Sequence, residues 1–383
     1  MSRARAEIVV ELAAIRHNLR VLRDHTGVDV MTVVKADGYG HGMVPAARAA
    51  REGGAGWLGV ATIDEALALR AAGDTGRILC WLGVPGEDYG AAIAADVDVT
   101  VYSVAELMEV VTALGTRRRR WRRRAKAARV QIKVDTGLSR GGAARAEWHD
   151  LFVGASQLER EGRIRLTGIW SHFACSDEPD HPANDAQQTA FEDALNLAAS
   201  FGLKPEVRHL ANSAAAILRP SARYDLVRCG IASYGLDPAP GRSPDLGLIP
   251  AMTVFSRLAM TKEIAAGDGV SYGHIWHADR PTHVGLVPAG YGEGVPRHAG
   301  NRAEVLVGDA RRPVRGRVCM DQFMVEVGPD DDAGDLVTLF GTGQRGEPTA
   351  QDWAEWCDTI SYEIVTRIGG RFVRRYLDEG TRS

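Results

Sequence analysis

Long apolar runs are missing from this chain, and with them any stretch of the roughly 20 residues a helix needs to cross a bilayer. The opening residues, Met1-Ser2-Arg3-Ala4-Arg5-Ala6-Glu7, lead straight into a strand-like stretch without the apolar core of a signal peptide. Cysteine is scarce and unpatterned. Cys80, Cys175, Cys229, Cys319 and Cys357 are odd in number and lack zinc-type spacing, so they read as reduced thiols of a cytoplasmic protein. Neither sign of charge dominates: 46 basic against 49 acidic residues leave a formal net charge of −3, which gives no global case for nucleic-acid binding. What remains is ordinary globular material, 45% hydrophobic and 25% charged. At 383 residues it is too long for one small core, and two domains are expected.

Residues 8–12 read as a short strand, and 13–23 as a helix with Ile15, Leu19 and Leu22 on one face. Apolar, β-rich runs then alternate with alanine-rich amphipathic stretches. The runs are 30–34, 57–61, 78–82, 97–102, 130–134, 166–170, 207–210 and 226–229, each but the last followed by a helical pattern. Eight strand-then-helix units predict a parallel α/β fold closed into a (β/α)8 TIM-like barrel; an open doubly wound sheet is the alternative. From about Pro238 the texture changes to short strands at 253–264, 282–288, 302–307, 314–318, 323–327 and 336–340, with a helical piece near 350–357. The expected organisation is an N-terminal strand over 1–12 that joins the C-terminal domain, a barrel over 13–237, and a C-terminal β-rich domain over 238–383.

The first barrel strand ends in Val33-Val34-Lys35-Ala36-Asp37-Gly38-Tyr39-Gly40-His41-Gly42. A buried strand that stops on a lysine costs free energy unless the ammonium is paired or neutral. Gly38, Gly40 and Gly42 allow positive φ or close approach of a ligand. An unremarkable alternative is a barrel lysine reaching water beside an ordinary strand-to-helix turn. Barrel enzymes carry their catalytic groups at the carboxyl ends of strands, and that rule can be tested here. Lys35 ends the first strand; Lys133, Asp135, Thr136 and Arg140 lie at and beyond the fifth; His172 follows the sixth; Asn212 and Ser213 follow the seventh; Arg228, Gly230 and Ile231 mark the eighth. Each alone could be a strand-end cap or a surface charge, but together they fall on one rim.

The segment around Lys35 resembles, almost letter for letter, the lysine segment of alanine racemases, and the resemblance extends over nearly the whole chain. It implies pyridoxal 5'-phosphate as cofactor, held covalently by Lys35, and no metal. Lys133-Val134-Asp135-Thr136-Gly137-Leu138-Ser139-Arg140 resembles the segment in which an arginine, here Arg140, meets the substrate carboxylate beside a lysine, here Lys133, that many members carry carboxylated. Trp170-Ser171-His172-Phe173-Ala174 resembles the family's histidine segment. Ala211-Asn212-Ser213-Ala214 and Val227-Arg228-Cys229-Gly230-Ile231 resemble its phosphate loops, with Tyr39 and Tyr362 adding phenol contacts.

Val270-Ser271-Tyr272-Gly273 resembles the stretch with the second catalytic base. The segments bearing Tyr291, Met320 and Asp321 resemble those that close the substrate pocket, and in the family these three stretches come from the other subunit of a homodimer. The resemblance therefore implies alanine racemization by two bases, Lys35 and Tyr272, with His172 and Arg228 behind the tyrosine, supplying D-alanine for peptidoglycan. A phenol has a pKa of about 10, so serving as a base near neutral pH requires nearby cations. An arginine at position 228, where other enzymes on cofactors of this kind use an acid, keeps the pyridine nitrogen unprotonated and favours racemization over decarboxylation. A racemase for serine or of broad specificity is the alternative. Two departures stand out: Gly292-Glu293-Gly294-Val295 where relatives carry Asp-Gly-Tyr or similar, and Arg371-Phe372-Val373-Arg374 in place of Arg-Val-Pro-Arg. The run Arg117-Arg118-Arg119-Arg120-Trp121-Arg122-Arg123-Arg124 could grip phosphates, but with no second basic cluster it reads as a solvated turn on the far face of the barrel.

Overall fold

A computed structural model describes residues 4–118 and 127–378 of the chain. Apart from the backbone at 117–118, the arginine run of 117–124 lies outside the described residues. Among them no helix is long and apolar enough to cross a membrane.

Strand β1 (Ala6–Glu11) precedes a helix, Leu12–Thr26, that buries Ile15, Leu19 and Leu22 completely and stops where Gly27 turns to φ 69°. Eight parallel strands follow: β2 (Asp29–Val33), β3 (Trp57–Val60), β4 (Arg77–Cys80), β5 (Asp98–Val101), β6 (Ala128–Lys133), β7 (Ile164–Trp170), β8 (Val207–His209) and β9 (Leu226–Cys229). Their order is β8-β7-β6-β5-β4-β3-β2-β9, so the first strand pairs with the last, and an open doubly wound sheet is ruled out. Between β8 and β9 the ladder gives way to isolated contacts. Asp225 N–H donates to Arg208 O at 3.1 Å, Arg228 N–H donates to Ala211 O at 3.0 Å, and Arg208 pairs with the Asp225 carboxylate at 2.7 Å. The result is a near-closed barrel.

Strand periodicity of two sorts its residues. Val30, Leu58, Ile78, Val99, Val130 and Ile132 join the apolar layer under the helices. The interior holds Met31, Trp57, Leu79, Trp170 and Leu226. At its amino end Asp98, wholly buried, accepts from Arg77, Arg129 and Thr167. At the other end Lys133 lies beside Trp170 and Trp170 beside His209 across neighbouring strands. The barrel is therefore polar at its mouth, apolar at its waist and sealed by ion pairs at its base.

The second sheet has nine strands in the order β11-β12-β15-β14-β13-β16-β10-β1-β17. They are β10 (Met252–Arg257), β11 (Met260–Ile264), β12 (Thr282–Val287), β13 (Glu304–Val307), β14 (Ala310–Arg315), β15 (Phe323–Glu326), β16 (Leu336–Phe340) and β17 (Val373–Leu377). β1 lies between β10, antiparallel, and β17, parallel. The expected strand over 253–264 breaks in two because Leu258 turns its side chain into the core, while that expected over 314–318 begins earlier and ends at Arg315. A helix at Ser361–Arg367 and strand β17 have no counterpart in the sequence reading. β17, Val-Arg-Arg-Tyr-Leu, is an edge strand with no residue in the buried class, so it lacks an apolar signal.

Candidate active site

After β2 the chain does not enter an ordinary strand-to-helix turn. Ala36, Asp37, Gly38 and Tyr39 take φ of 53°, 53°, 63° and 54°, a left-handed turn of four residues. Only one is glycine, and left-handed φ costs the others about 1–2 kcal/mol each. Side chains from elsewhere hold it. Glu65 Oε1 accepts the Ala36 N–H at 2.8 Å, and Asp37 accepts from the Met43 N–H at 2.8 Å and from Arg374 at 2.7 Å. His41 Nδ1 lies 3.0 Å and 2.9 Å from the carbonyls of Gly38 and Tyr39, so it carries the proton and donates. Burial pushes that imidazole down to about 4 and keeps it neutral. The glycines here admit the chain itself: a Cβ on Gly40 would lie 2.2 Å from Val365 O, and one on Gly42 2.0 Å from the Tyr376 hydroxyl. The Lys35 turn is thus clamped by the C-terminal domain.

Lys35 leaves this turn with its ammonium 5.7 Å from the Trp81 ring centroid. Burial, then the positive charge of Arg140, pushes its amine below the ordinary lysine value, with Glu65 opposing. Lys133 is buried with its nitrogen 4.6 Å from the Trp170 ring, and burial followed by Arg228 and Arg140 pushes it down to about 8. Arg228, also buried, donates from Nη1 to His209 Nδ1 at 2.9 Å and from Nη2 to His172 Nδ1 at 3.2 Å. Its remaining bonds go to the carbonyls of Ser171, Leu210 and His209 at 2.8, 2.9 and 3.1 Å. Among the described residues no carboxylate pairs with it, and burial lowers even the guanidinium to about 9. His172 is held well below its ordinary value, first by burial and then by Arg228 and Arg140. As a neutral ring accepting at Nδ1, it keeps its proton on Nε2.

The loops after β8 and β9 meet Tyr39. Asn212 caps the short helix Ser213–Leu218 by accepting the Ala215 N–H at 3.1 Å, and it also accepts from Ser176 at 2.8 Å. Ser213 Oγ accepts the Gly230 N–H at 3.0 Å, and a Cβ on Gly230 would lie 2.3 Å from the Tyr39 hydroxyl. Ile231 is fully buried. The Tyr39 and Tyr362 rings are 6.2 Å apart; burial raises both phenols, so each remains a hydrogen-bond donor.

The remaining candidates form a separate group on the second sheet. Tyr272, 71% exposed, sits in a turn fixed by a Ser271 hydroxyl that donates to Arg317 O at 2.7 Å. Tyr291 N–H donates to Cys319 O at 3.0 Å and Gly292 N–H to Met320 O at 2.8 Å, while Asp321 pairs with Arg371 at 2.5 Å. Tyr291 and Met320 are exposed beside them. Among the described residues no hydrogen bond or ion pair links this group to the Lys35 rim. Sequence reasoning missed Glu65, Gln131, His209 and Arg374. His209 lies inside the strand expected over 207–210, and Gln131 lies two residues before Lys133 on the same face, but nothing local in the sequence pairs the two.

Comparison with known proteins agrees along the whole length. The N-terminal domain of alanine racemases matches residues 10–238 and the C-terminal domain residues 251–376. The alanine racemase of Thermobifida fusca is 53% identical over 373 residues, covering 97% of this chain and 98% of its own. Among solved structures, alanine racemase from Streptomyces lavendulae superposes with a TM-score of 0.95 at 48% identity, covering 98% of each chain. The Bartonella henselae alanine racemase, solved with covalently bound pyridoxal phosphate, gives 0.86 at 28% identity, covering 98% of this chain and 100% of its own. The polar barrel mouth, the β-rich second domain and these matches make the chain a member of the alanine racemase family.

Proposed function

We propose that this protein interconverts L- and D-alanine with pyridoxal 5'-phosphate, using Lys35 and Tyr272 as bases on opposite faces of the substrate, and so supplies D-alanine for peptidoglycan. The observation that carries the reading is the donor set at the barrel mouth: one lysine amine of lowered basicity and, on the same rim, a buried guanidinium that among the described residues has imidazoles and carbonyls, but no acid, for partners. That set fits the cofactor. Lys35 would hold the aldehyde carbon, as a lysine must in the relative whose pyridoxal phosphate is covalently bound. Arg228 uses Nη1 and Nη2 on the protein, which leaves Nε–H as the donor for a ring nitrogen and keeps that nitrogen unprotonated. Tyr39, Tyr362, Asn212, Ser213, Gly230 and Ile231 would surround the phosphate.

When bound, the cofactor supplies a sink for the electrons left as the Cα–H bond breaks. The protein moves the proton. Lys35, displaced as a neutral amine when alanine takes its place, takes or returns the Cα proton on one side. Tyr272 serves the other side, and the neutral His172 offers its Nε2–H to steady a phenolate. Arg140 orients the substrate carboxylate. The Lys133 ammonium, crowded by Arg140 and Arg228, would release one proton to give the amine; carbon dioxide added to that amine, with loss of a second proton, would give a carbamate anion that both arginines attract.

Tyr272 lies exposed beside Tyr291 and Met320, and this supports a homodimer in which each subunit lends Tyr272, Tyr291, Met320 and Asp321 to the other's barrel. Enzymatic detection of D-alanine formed from L-alanine tests the reading. Formation is expected; a cofactor-loaded protein that makes none, or that racemizes only serine, would reject it.

A further inference from the structure

We infer that Gln131 and His209, which no role in the proton transfers requires, are positioning residues that fix Arg228 through a chain of hydrogen bonds with one allowed polarity. The inference rests on Arg228 being the donor to the cofactor ring.

A guanidinium can only donate. Arg228 Nη1 lies 2.9 Å from His209 Nδ1, so Nδ1 accepts and the His209 proton must sit on Nε2. Nε2 lies 2.8 Å from Gln131 Oε1, which the proton's placement makes the acceptor. A reversed Gln131 amide would aim an N–H at this N–H, and a His209 proton on Nδ1 would face the guanidinium. Each link excludes the alternative of the next.

The surroundings admit no other arrangement of His209. The ring is fully buried and lies 5.5 Å from Trp170 with 10° between planes, while burial and the Arg228 charge hold it well below the ordinary histidine value. Gln131 is also fully buried, and a Cβ on the neighbouring Gly168 would lie within 2.6–3.0 Å of its amide atoms. Glycine at 168 is therefore what lets the Gln131 amide reach across to His209. Among the described residues Gln131 Nε2 has no hydrogen-bond partner, and neither do Thr100 Oγ1 and Trp170 Nε1. An orphaned buried amide N–H is a cost that a merely space-filling residue at this position would not carry. The bond on the other end of the amide is what offsets it. Arg228 has no carboxylate to hold it, so its direction depends on neutral acceptors, and His209 is the one whose lone pair is set by a further side chain.

The experiment compares the holoenzyme with the variants His209→Phe, His209→Gln and Gln131→Met. Phenylalanine keeps the stack on Trp170 and loses both bonds; glutamine loses the stack and keeps an acceptor and a donor; methionine fills the space of Gln131 without bonding. Imidazole nitrogen NMR should show His209 of the wild type with its proton on Nε2; in Gln131→Met the Arg228 donor keeps it there, but the Nε2–H signal should shift because that proton has lost its acceptor. His209→Phe and Gln131→Met should lower kcat about tenfold, the scale of one bond to a charged group, with KM moving less, and should shift the absorption band of the bound cofactor. His209→Gln should restore most of both. Should His209→Phe fail to fold, as shown by its melting temperature, Gln131→Met gives the same reading. Wild-type band and kcat in the bond-deleting variants, a proton on Nδ1, or a His209→Gln as impaired as His209→Phe would overturn the inference alone. A wild-type protein that takes up no pyridoxal phosphate would overturn it together with the function on which it rests.

Discussion

Arg228 and Lys133 share the barrel mouth; among the described residues no carboxylate pairs with Arg228, and the charge of Asp135 acts on Lys133 less than those of Arg228 and Arg140. Removing Lys35 tests its part directly: Lys35→Ala should lose the visible band of covalently held cofactor, and a persisting band would take the role from it. Lys133 gives a pH signature. Its amine falls from 10.5 unfolded to about 8 folded, so at pH 7 it is charged in both states and costs the fold about 3 kcal/mol. As pH rises from about 8 towards 10.5 the folded form loses its proton first, and the cost shrinks. In buffer free of carbon dioxide, Lys133→Met should therefore be more stable than wild type at pH 7, with the gap closing above pH 8. Urea unfolding at several pH values measures it; a gap that widens with pH would refute the assignment. Lys35, Lys133, His172 and Arg228 were legible in the sequence because each lies within two residues of the carboxyl end of an apolar run. The Gln131–His209 pair was not, because the bond joins residues on β6 and β8, which come together only where both strands pair with β7.

At the level of elements, the left-handed turn after β2 depends on a part of the chain that the sequence did not announce. Three of its residues pay the left-handed penalty, and Asp37 is tied to Arg374 on β17. Asp37 is 56% exposed at its side chain, so this pair contributes only about 1 kcal/mol. Arg374→Ala should nonetheless speed cofactor loss several-fold, about 1 kcal/mol in that equilibrium, while the melting temperature changes little. Equal loss of both would make the pair generally structural. The departure at Glu293 also finds its reason here: the carboxylate is buried, accepts the Gly290 N–H at 2.8 Å and pairs with Arg371, which in turn holds Asp321. β17 stayed hidden because its alternation is charged on an edge, and the turn because left-handed alanine, aspartate and tyrosine follow no local preference.

Over the whole molecule two sheets divide the work. The eight apolar runs declared the barrel, since all of them except β8, where Arg208 is exposed, are buried along most of their length on both faces. Its base depends on Asp98, wholly buried between Arg77 and Arg129; Asp98→Ala should destabilise the protein by about 3 kcal/mol in chemical unfolding without changing KM. In the proposed homodimer the mouth is completed by a second copy. Mixing Lys35→Ala with Tyr272→Phe subunits at random should restore about a quarter of the wild-type sites, because half the dimers pair one intact amine with one intact phenol. No recovery would place both groups in a single chain.

The central claim, that an amine and a phenol act from opposite sides, is tested most directly by deuterium exchange at Cα in Tyr272→Phe. Alanine has an equilibrium constant of unity between its enantiomers, so overall racemization must slow equally in both directions and cannot reveal the faces. Exchange with deuterated water can. The variant should still wash the proton out of the enantiomer that faces Lys35 and should fail on its mirror image; exchange of both, or of neither, would contradict the account.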